Sequence, residues 1–177
     1  MNFSYHCPHL NSSECRLNAS AESSRYVLFI CTGNYYRSRF AEAVFNHQAQ
    51  HLQLPWRAFS RGLAIHLVDG DLSEHTALAL NQRGIDRLQT GATRVALGEA
   101  DLTLAERIIA LDEIEHRPLI RRQFPGWEER ITYWSVADID RLSVELALSA
   151  IERLVRESVL EIVADIEFTS AGRATPA

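Results

Sequence analysis

Cys31 and Arg37 stand with five residues between them, in the stretch Cys31-Thr32-Gly33-Asn34-Tyr35-Tyr36-Arg37-Ser38. The two residue types complement each other chemically. A stabilised thiolate is a nucleophile at neutral pH, and a planar guanidinium binds two oxygens of a phosphoryl group as they gain charge. Gly33 permits close backbone approach, and Asn34 tolerates left-handed backbone and can pin a loop through its side chain. Ser38 offers a hydroxyl that can cap a helix and donate to the thiolate.

The flanking elements must hold this loop in place. Val27-Leu28-Phe29-Ile30 is a continuous apolar run, the pattern of a strand buried on both faces of a parallel sheet. After Ser38, the apolar residues Phe40, Ala41, Val44 and Phe45 recur at three- and four-residue steps with Glu42 and Asn46 between them, which predicts an amphipathic helix. A strand feeding a short loop into a helix N-terminus converges backbone N–H groups and the positive end of the helix dipole on one point. The result is an anion cradle built from residues 31–38. A cysteine and an arginine at this spacing are weak evidence by themselves, the plain alternative being a buried, inert cysteine followed by a surface arginine.

The full string CTGNYYRSRFAEAVF resembles the signature of the low-molecular-weight protein tyrosine phosphatases and of the arsenate reductases built on the same fold. These carry a C-x-G-N-x-x-R-S loop followed by an Ala-Glu pair, here Ala41-Glu42. The resemblance implies that Cys31 is the nucleophile, that Arg37 and the N–H groups of Thr32, Gly33, Asn34, Tyr35, Tyr36, Arg37 and Ser38 bind phosphate, and that Asn34, Ser38 and Ser60 support the loop. Ser60 ends the strand-like WRAFS before Arg61-Gly62, where it can also be a plain strand-terminal serine. The segment YWSVADIDRL resembles the family's acid loop, which implies Asp138 as the proton donor, with Ile139 where proline is usual. Asp140, two residues on, is the rival, and either aspartate can instead cap the following helix.

The chain departs from the pattern elsewhere. Arg39 follows Ser38 where proline or glutamine is commoner, Gln89 and Thr90 stand where many members have a histidine after Gly84-Ile85-Asp86, and Tyr36 occupies a position that is often a second cysteine. Thr32, Tyr35 and the 138–142 region fill the places that wall the substrate pocket in the resembled family, and Tyr35 is suited either to wall that pocket against a flat phenyl ring or to pack on the adjacent helix.

Composition bounds the rest. At 177 residues and 46% hydrophobic, the chain suits one α/β domain, expected over residues 25–167, with a mobile polar leader (1–24) and a flexible tail (168–177). A net charge of −5, with all 18 basic residues arginine and no basic stripe, argues against nucleic acid. No stretch approaches the roughly 20 apolar residues of a membrane span, and the N-terminus lacks a secretory layout, so a cytoplasmic location is expected. His6, Cys7, His9 and Cys15 match no standard zinc spacing. Neither metal nor other cofactor is expected, because arginine and backbone dipoles supply the positive charge.

Further along, helices are expected after Asp71 or Ser73 up to Gly84, from Asp112 as cap through Ile114, Leu119, Ile120 and Phe124, and over about 140–166 with Leu142, Leu146, Ile151, Leu154, Val155, Val159 and Ile162 on one side. Strands are expected at 56–60, 105–111 and 131–134. Together these predict a four-stranded parallel sheet with helices on both faces and a phosphate-binding loop after the first strand. The expected function is a cysteine-dependent phosphomonoesterase acting on a phosphotyrosine protein or another phosphomonoester. Its alternatives are an arsenate reductase using an external thiol and a non-catalytic phosphate- or phosphoprotein-binding module. Oligomeric state is not legible.

Overall fold

The computed structural model describes residues 24–172. The leader, its His6, Cys7, His9 and Cys15, and the chain beyond Gly172 lie outside the described residues. Strand β1 (Arg25–Cys31) is central: Val27 to Ile30 are all within 1% of complete burial, because both faces of the sheet are covered. Val27 and Phe29 pack with Phe40, Val44 and Phe45 of helix α1 (Arg37–His51), and with Ile151, Val155, Val159 and Ile162 of helix α5 (Val144–Gly172). Leu28 and Ile30 face the other way, onto Leu102 of helix α3 (Glu99–Leu104) and Ile120 of helix α4 (Glu113–Gln123). Each such side chain contributes about 1.5–3 kcal/mol by leaving water.

The sheet is parallel throughout, in the order β2 (Trp56–Gly62), β1, β3 (Arg107–Ala110), β4 (Thr132–Tyr133). Its neighbours on the two sides of β1 come from later in the chain, so the crevice at the carboxyl end of β1 is the point where such sheets bind ligands. Cys31 is the last residue of that strand. Helix α2 (Glu74–Gln82) and the loop before it flank the same end.

Several local expectations need correction. Helix α1 begins at Arg37 with Tyr36 at its N-cap, so Ser38 lies inside the first turn and does not cap it. Helix α2 starts after Ser73, whose hydroxyl makes no capping bond. Neither Asp138 nor Asp140 caps α5: that helix starts later, and Ser143 Oγ accepts from Leu146 N–H at 3.4 Å. α5 also continues to Gly172, so the first part of the expected tail is helical. Leu146 and Ile114 face outward, 60% and 77% exposed. β2 starts where expected and runs two residues further, β3 and β4 are shorter than expected and lie within their expected ranges, and α3 was not anticipated, being only 6 residues long and too short for periodicity to register. Asp112 does cap α4, accepting from Ile114 N–H at 3.2 Å. Among the described residues no helix is long and apolar enough to cross a membrane.

Candidate active site

The loop after β1 is held by its carbonyls and side chains, leaving its amides unspent. Leu63 N–H donates to Cys31 O at 3.0 Å, Ala64 N–H to Thr32 O at 2.8 Å, and Ser73 N–H to Tyr35 O at 3.0 Å. Among the described residues, no protein group accepts from the N–H groups of Gly33, Asn34, Tyr35 or Tyr36. Consecutive unspent amides at a helix N-terminus make an anion-binding concavity. Asn34 adopts φ +50°, a left-handed conformation that asparagine tolerates, and its side chain fixes the turn.

That side chain opens a buried relay. Asn34 Nδ2 donates to Ser60 Oγ at 2.8 Å and to Ser38 Oγ at 3.3 Å, while its Oδ1 accepts from Val95 N–H at 2.8 Å. Ser60 Oγ donates to Glu42 Oε2 at 2.6 Å, which also accepts from Thr90 Oγ1 at 2.7 Å. Ser38 Oγ lies 3.0 Å from Cys31 Sγ; since it accepts from Asn34, its proton is free to point at sulfur. Burial pushes the Glu42 carboxyl up, and the bonds from Ser60 and Thr90, with Arg39 near by, oppose that push. Arg39, 1% exposed, donates from Nε to Thr90 Oγ1 at 2.7 Å, from Nη1 to Asp71 O at 2.9 Å and Thr93 O at 3.2 Å, and from Nη2 to Gly91 O. The residue that departs from the family's usual proline or glutamine therefore ties two loops to the base of the cradle. Thr90, which with Gln89 stands where many members have a histidine, belongs to the same network.

Arg37 is 2% exposed at its side chain and points into the cradle from the first turn of α1. Nη1 donates to Val136 O at 3.0 Å, and Nη2 contacts Asp138 Oδ2 at 3.0 Å and Glu115 Oε2 at 2.8 Å. Glu115, on the first turns of α4, was not singled out in the sequence. Thr32 donates its hydroxyl to Glu115 Oε1, so Thr32, expected as a pocket wall, turns toward α4. Burial pushes the Glu115 carboxyl up, but His116, Arg37 and Thr32 outweigh it and hold it well below the usual carboxylate range. His116 lies beside Glu115, and its burial disfavours the imidazolium. Nδ1 of this fully buried imidazole accepts from Asp112 N–H at 3.0 Å, so the proton sits on Nε2, 3.5 Å from Glu115 Oε1, and burial holds the ring below the ordinary histidine range.

A pocket of about 310 Å³ opens above the sulfur. Cys31 and Arg37 form its floor, and Tyr35, Val68, Asp138 and Ile139 its walls, with Ser73, Glu74 and His75 at the rim. Asp140 does not line it. The structure brings Cys31, Arg37, Ser38, Asn34, Ser60 and Asp138 together, and Glu115, Arg39 and Thr90, which carried no such expectation, join them. Among the described residues, no group of three or more histidine, cysteine, aspartate or glutamate side chains is arranged to hold a metal ion.

A family model described as low molecular weight phosphotyrosine protein phosphatase matches residues 26–138. Among solved structures, a low molecular weight protein tyrosine phosphatase from T. tengcongensis is similar at 25% identity, with a TM-score of 0.67 over 78% of this chain and 99% of that one. YfkJ from Bacillus subtilis is similar at 24% identity, with a TM-score of 0.71 over 81% and 97% of the two chains. The YwlE arginine phosphatase from Geobacillus stearothermophilus has 22% identity and a TM-score of 0.59 over 86% and 99%; likenesses at these lower identities speak to the fold. No curated protein matches.

Proposed function

The chain belongs to the low molecular weight phosphotyrosine protein phosphatase family and is a cysteine-based phosphatase, and from that premise we propose that it hydrolyses phosphotyrosine in proteins through a phosphocysteine at Cys31. The supporting observation is the pairing of Cys31 Sγ with Ser38 Oγ at 3.0 Å beneath a loop whose amides are unspent. Cys31 attacks phosphorus in line, and the Gly33 to Tyr36 amides with Arg37 stabilise the equatorial oxygens as charge develops. As the ester P–O bond breaks, Asp138 gives its proton to the phenolic oxygen. The same carboxylate then takes a proton from water, whose oxygen attacks phosphorus, and the S–P bond breaks to return the thiolate. For this cycle Asp138 must leave Arg37 Nη2, where it rests at 3.0 Å.

Tyrosine is favoured over an alkyl phosphate by the walls. Tyr35, Val68 and Ile139 present apolar surface on either side of the approach to sulfur, which suits a flat ring. Ile139 takes the place of the usual proline without removing Asp138 from the pocket.

The test is hydrolysis of para-nitrophenyl phosphate between pH 4.5 and 8 without added metal. Cys31→Ser is expected to abolish turnover and Asp138→Ala to reduce it by about 10²–10⁴-fold. Turnover surviving in Cys31→Ser overturns the proposal.

A further inference from the structure

A second groove of about 460 Å³ adjoins the reaction pocket and shares Asp138 and Ile139 with it. Its walls are Ile114, Ile139, Glu115, Asp140 and Arg141, drawn from the start of α4 and the turn between β4 and α5. Two features of this groove are unusual. Ile114 and Ile139 are large aliphatic side chains left 77% and 54% exposed, one on each contributing segment. Asp140 is exposed and makes no hydrogen bond or ion pair among the described residues, whereas every other charge in the groove is engaged. Asp138 and Glu115 hold Arg37, and Arg141 is bound to Asp112 with Glu115 at 3.8 Å.

Resting on the phosphotyrosine reading above, we propose that this groove takes the side chain of a residue flanking the phosphotyrosine in the substrate chain, and that this residue is arginine or lysine. The long basic side chains are the types that combine an aliphatic stem with a cationic head. The stem covers Ile114 and Ile139, and the head reaches the unspent Asp140 carboxylate. With Asp138 and Glu115 held by Arg37, and Arg141 held by Asp112, the Asp140 carboxylate is the charge left unpaired in the groove among the described residues, so an acidic flanking residue is repelled. Because Ile139 and Asp138 form the common wall, a chain whose phosphotyrosine enters the first pocket carries its neighbour, about 3.3–3.6 Å further along per residue, across the second.

Binding, rather than turnover, tests this directly. Full-length Cys31→Ser protein is titrated by fluorescence anisotropy with phosphotyrosine peptides identical except for arginine, alanine or glutamate beside the phosphotyrosine, in low and physiological salt. Arginine is expected to bind roughly two- to fivefold more tightly than alanine, with glutamate weakest and the spread shrinking as salt rises. Adding Asp140→Arg should invert the arginine-to-glutamate order, and Ile114→Ser should weaken the arginine peptide more than the glutamate peptide. Equal affinity for the three peptides, preference for glutamate, or no binding of any peptide overturns the proposal. Hydrolysis of para-nitrophenyl phosphate by the parent then tells whether the phosphatase reading falls with it: activity there confines the failure to the groove.

Discussion

Glu115 Oε2 stands 2.8 Å from Arg37 Nη2, so a protein carboxylate occupies the guanidinium that the loop offers to phosphate. A substrate phosphoryl group that binds Arg37 therefore meets the negative charge of that carboxylate. A unit charge about 5 Å from another at an effective dielectric near 20 costs on the order of 3 kcal/mol. The Glu115 side chain is 23% exposed, and discounting for solvent leaves roughly tenfold in affinity. Glu115→Gln keeps an acceptor for Thr32 and Arg37 while removing the charge. Competitive inhibition by inorganic phosphate at pH 7 is therefore expected to tighten about tenfold in that variant; weaker inhibition would mean that the charge orients Arg37 more than it opposes phosphate.

Asp138 lines the reaction pocket within 3.0 Å of Arg37, and Asp140 lies outside it. The limb of the kcat/KM–pH profile that reports the protonated acid should vanish in Asp138→Asn and persist in Asp140→Asn. Leaving-group dependence offers a second reading, since without its acid the enzyme becomes sensitive to the basicity of the departing phenol. Loss of the limb in Asp140→Asn instead would transfer the acid role.

Gly62 lies directly beneath the cradle. A Cβ there would meet Asn34 Cβ and Asn34 N, both at 2.9 Å, and Ile65 Cγ2 at 2.6 Å. The backbone of Asn34 cannot yield without moving the amides that face the phosphate. Gly62→Ala is expected to cost about 1–3 kcal/mol by urea unfolding and to lower kcat by roughly 100-fold, as displacement of a reacting centre by about 1 Å does. A variant that lost stability and kept kcat would mean that the loop relaxes independently of its floor.

His116 makes stability depend on pH in a defined direction. Its folded-state value lies below that of the free side chain because burial disfavours the imidazolium, so the unfolded chain binds the proton more readily. The stability contribution is present above about pH 6.5 and is lost as pH falls from there through the depressed folded value. Glu115, also depressed, adds a further loss only below about pH 4.5. The urea midpoint should fall between pH 7 and 5, and His116→Gln, which can still accept from Asp112 N–H, should flatten that part of the curve. An unchanged slope would assign the loss to other groups.

The legibility of the site follows the range of the interactions that make it. The alternation from the apolar run at Val27 to the three- and four-residue steps after Ser38 is local, and it was enough to read a buried strand, a loop and a helix, and to bring Cys31, Arg37 and Ser38 to one point. Asn34 and Gly33 were readable for the same reason, since turn chemistry depends on neighbours in the chain. Helix ends were read less well: a hydroxyl or carboxylate before an apolar run is a potential cap wherever it falls, and Ser143 took the role at α5 from Asp138 and Asp140.

Long-range partners carried no sequence signal of that kind. Arg39 looked like a departure from a motif, and only the fold brings it against Asp71, Thr93 and Gly91, where a buried guanidinium finds enough carbonyls to be retained. Glu115 was not singled out in the sequence, and only the fold of α4 aims it at Thr32 and Arg37, separated from it in sequence by 83 and 78 residues. The sequence by itself therefore determined a buried strand, a loop and a helix around Cys31 and Arg37 within a parallel α/β sheet, because those follow from periodicity and turn chemistry over a few residues, while the strand order came from the fold. Tertiary structure alone decided which carboxylates face the arginine and what shape the pocket takes, because those depend on where separate helices settle against one sheet.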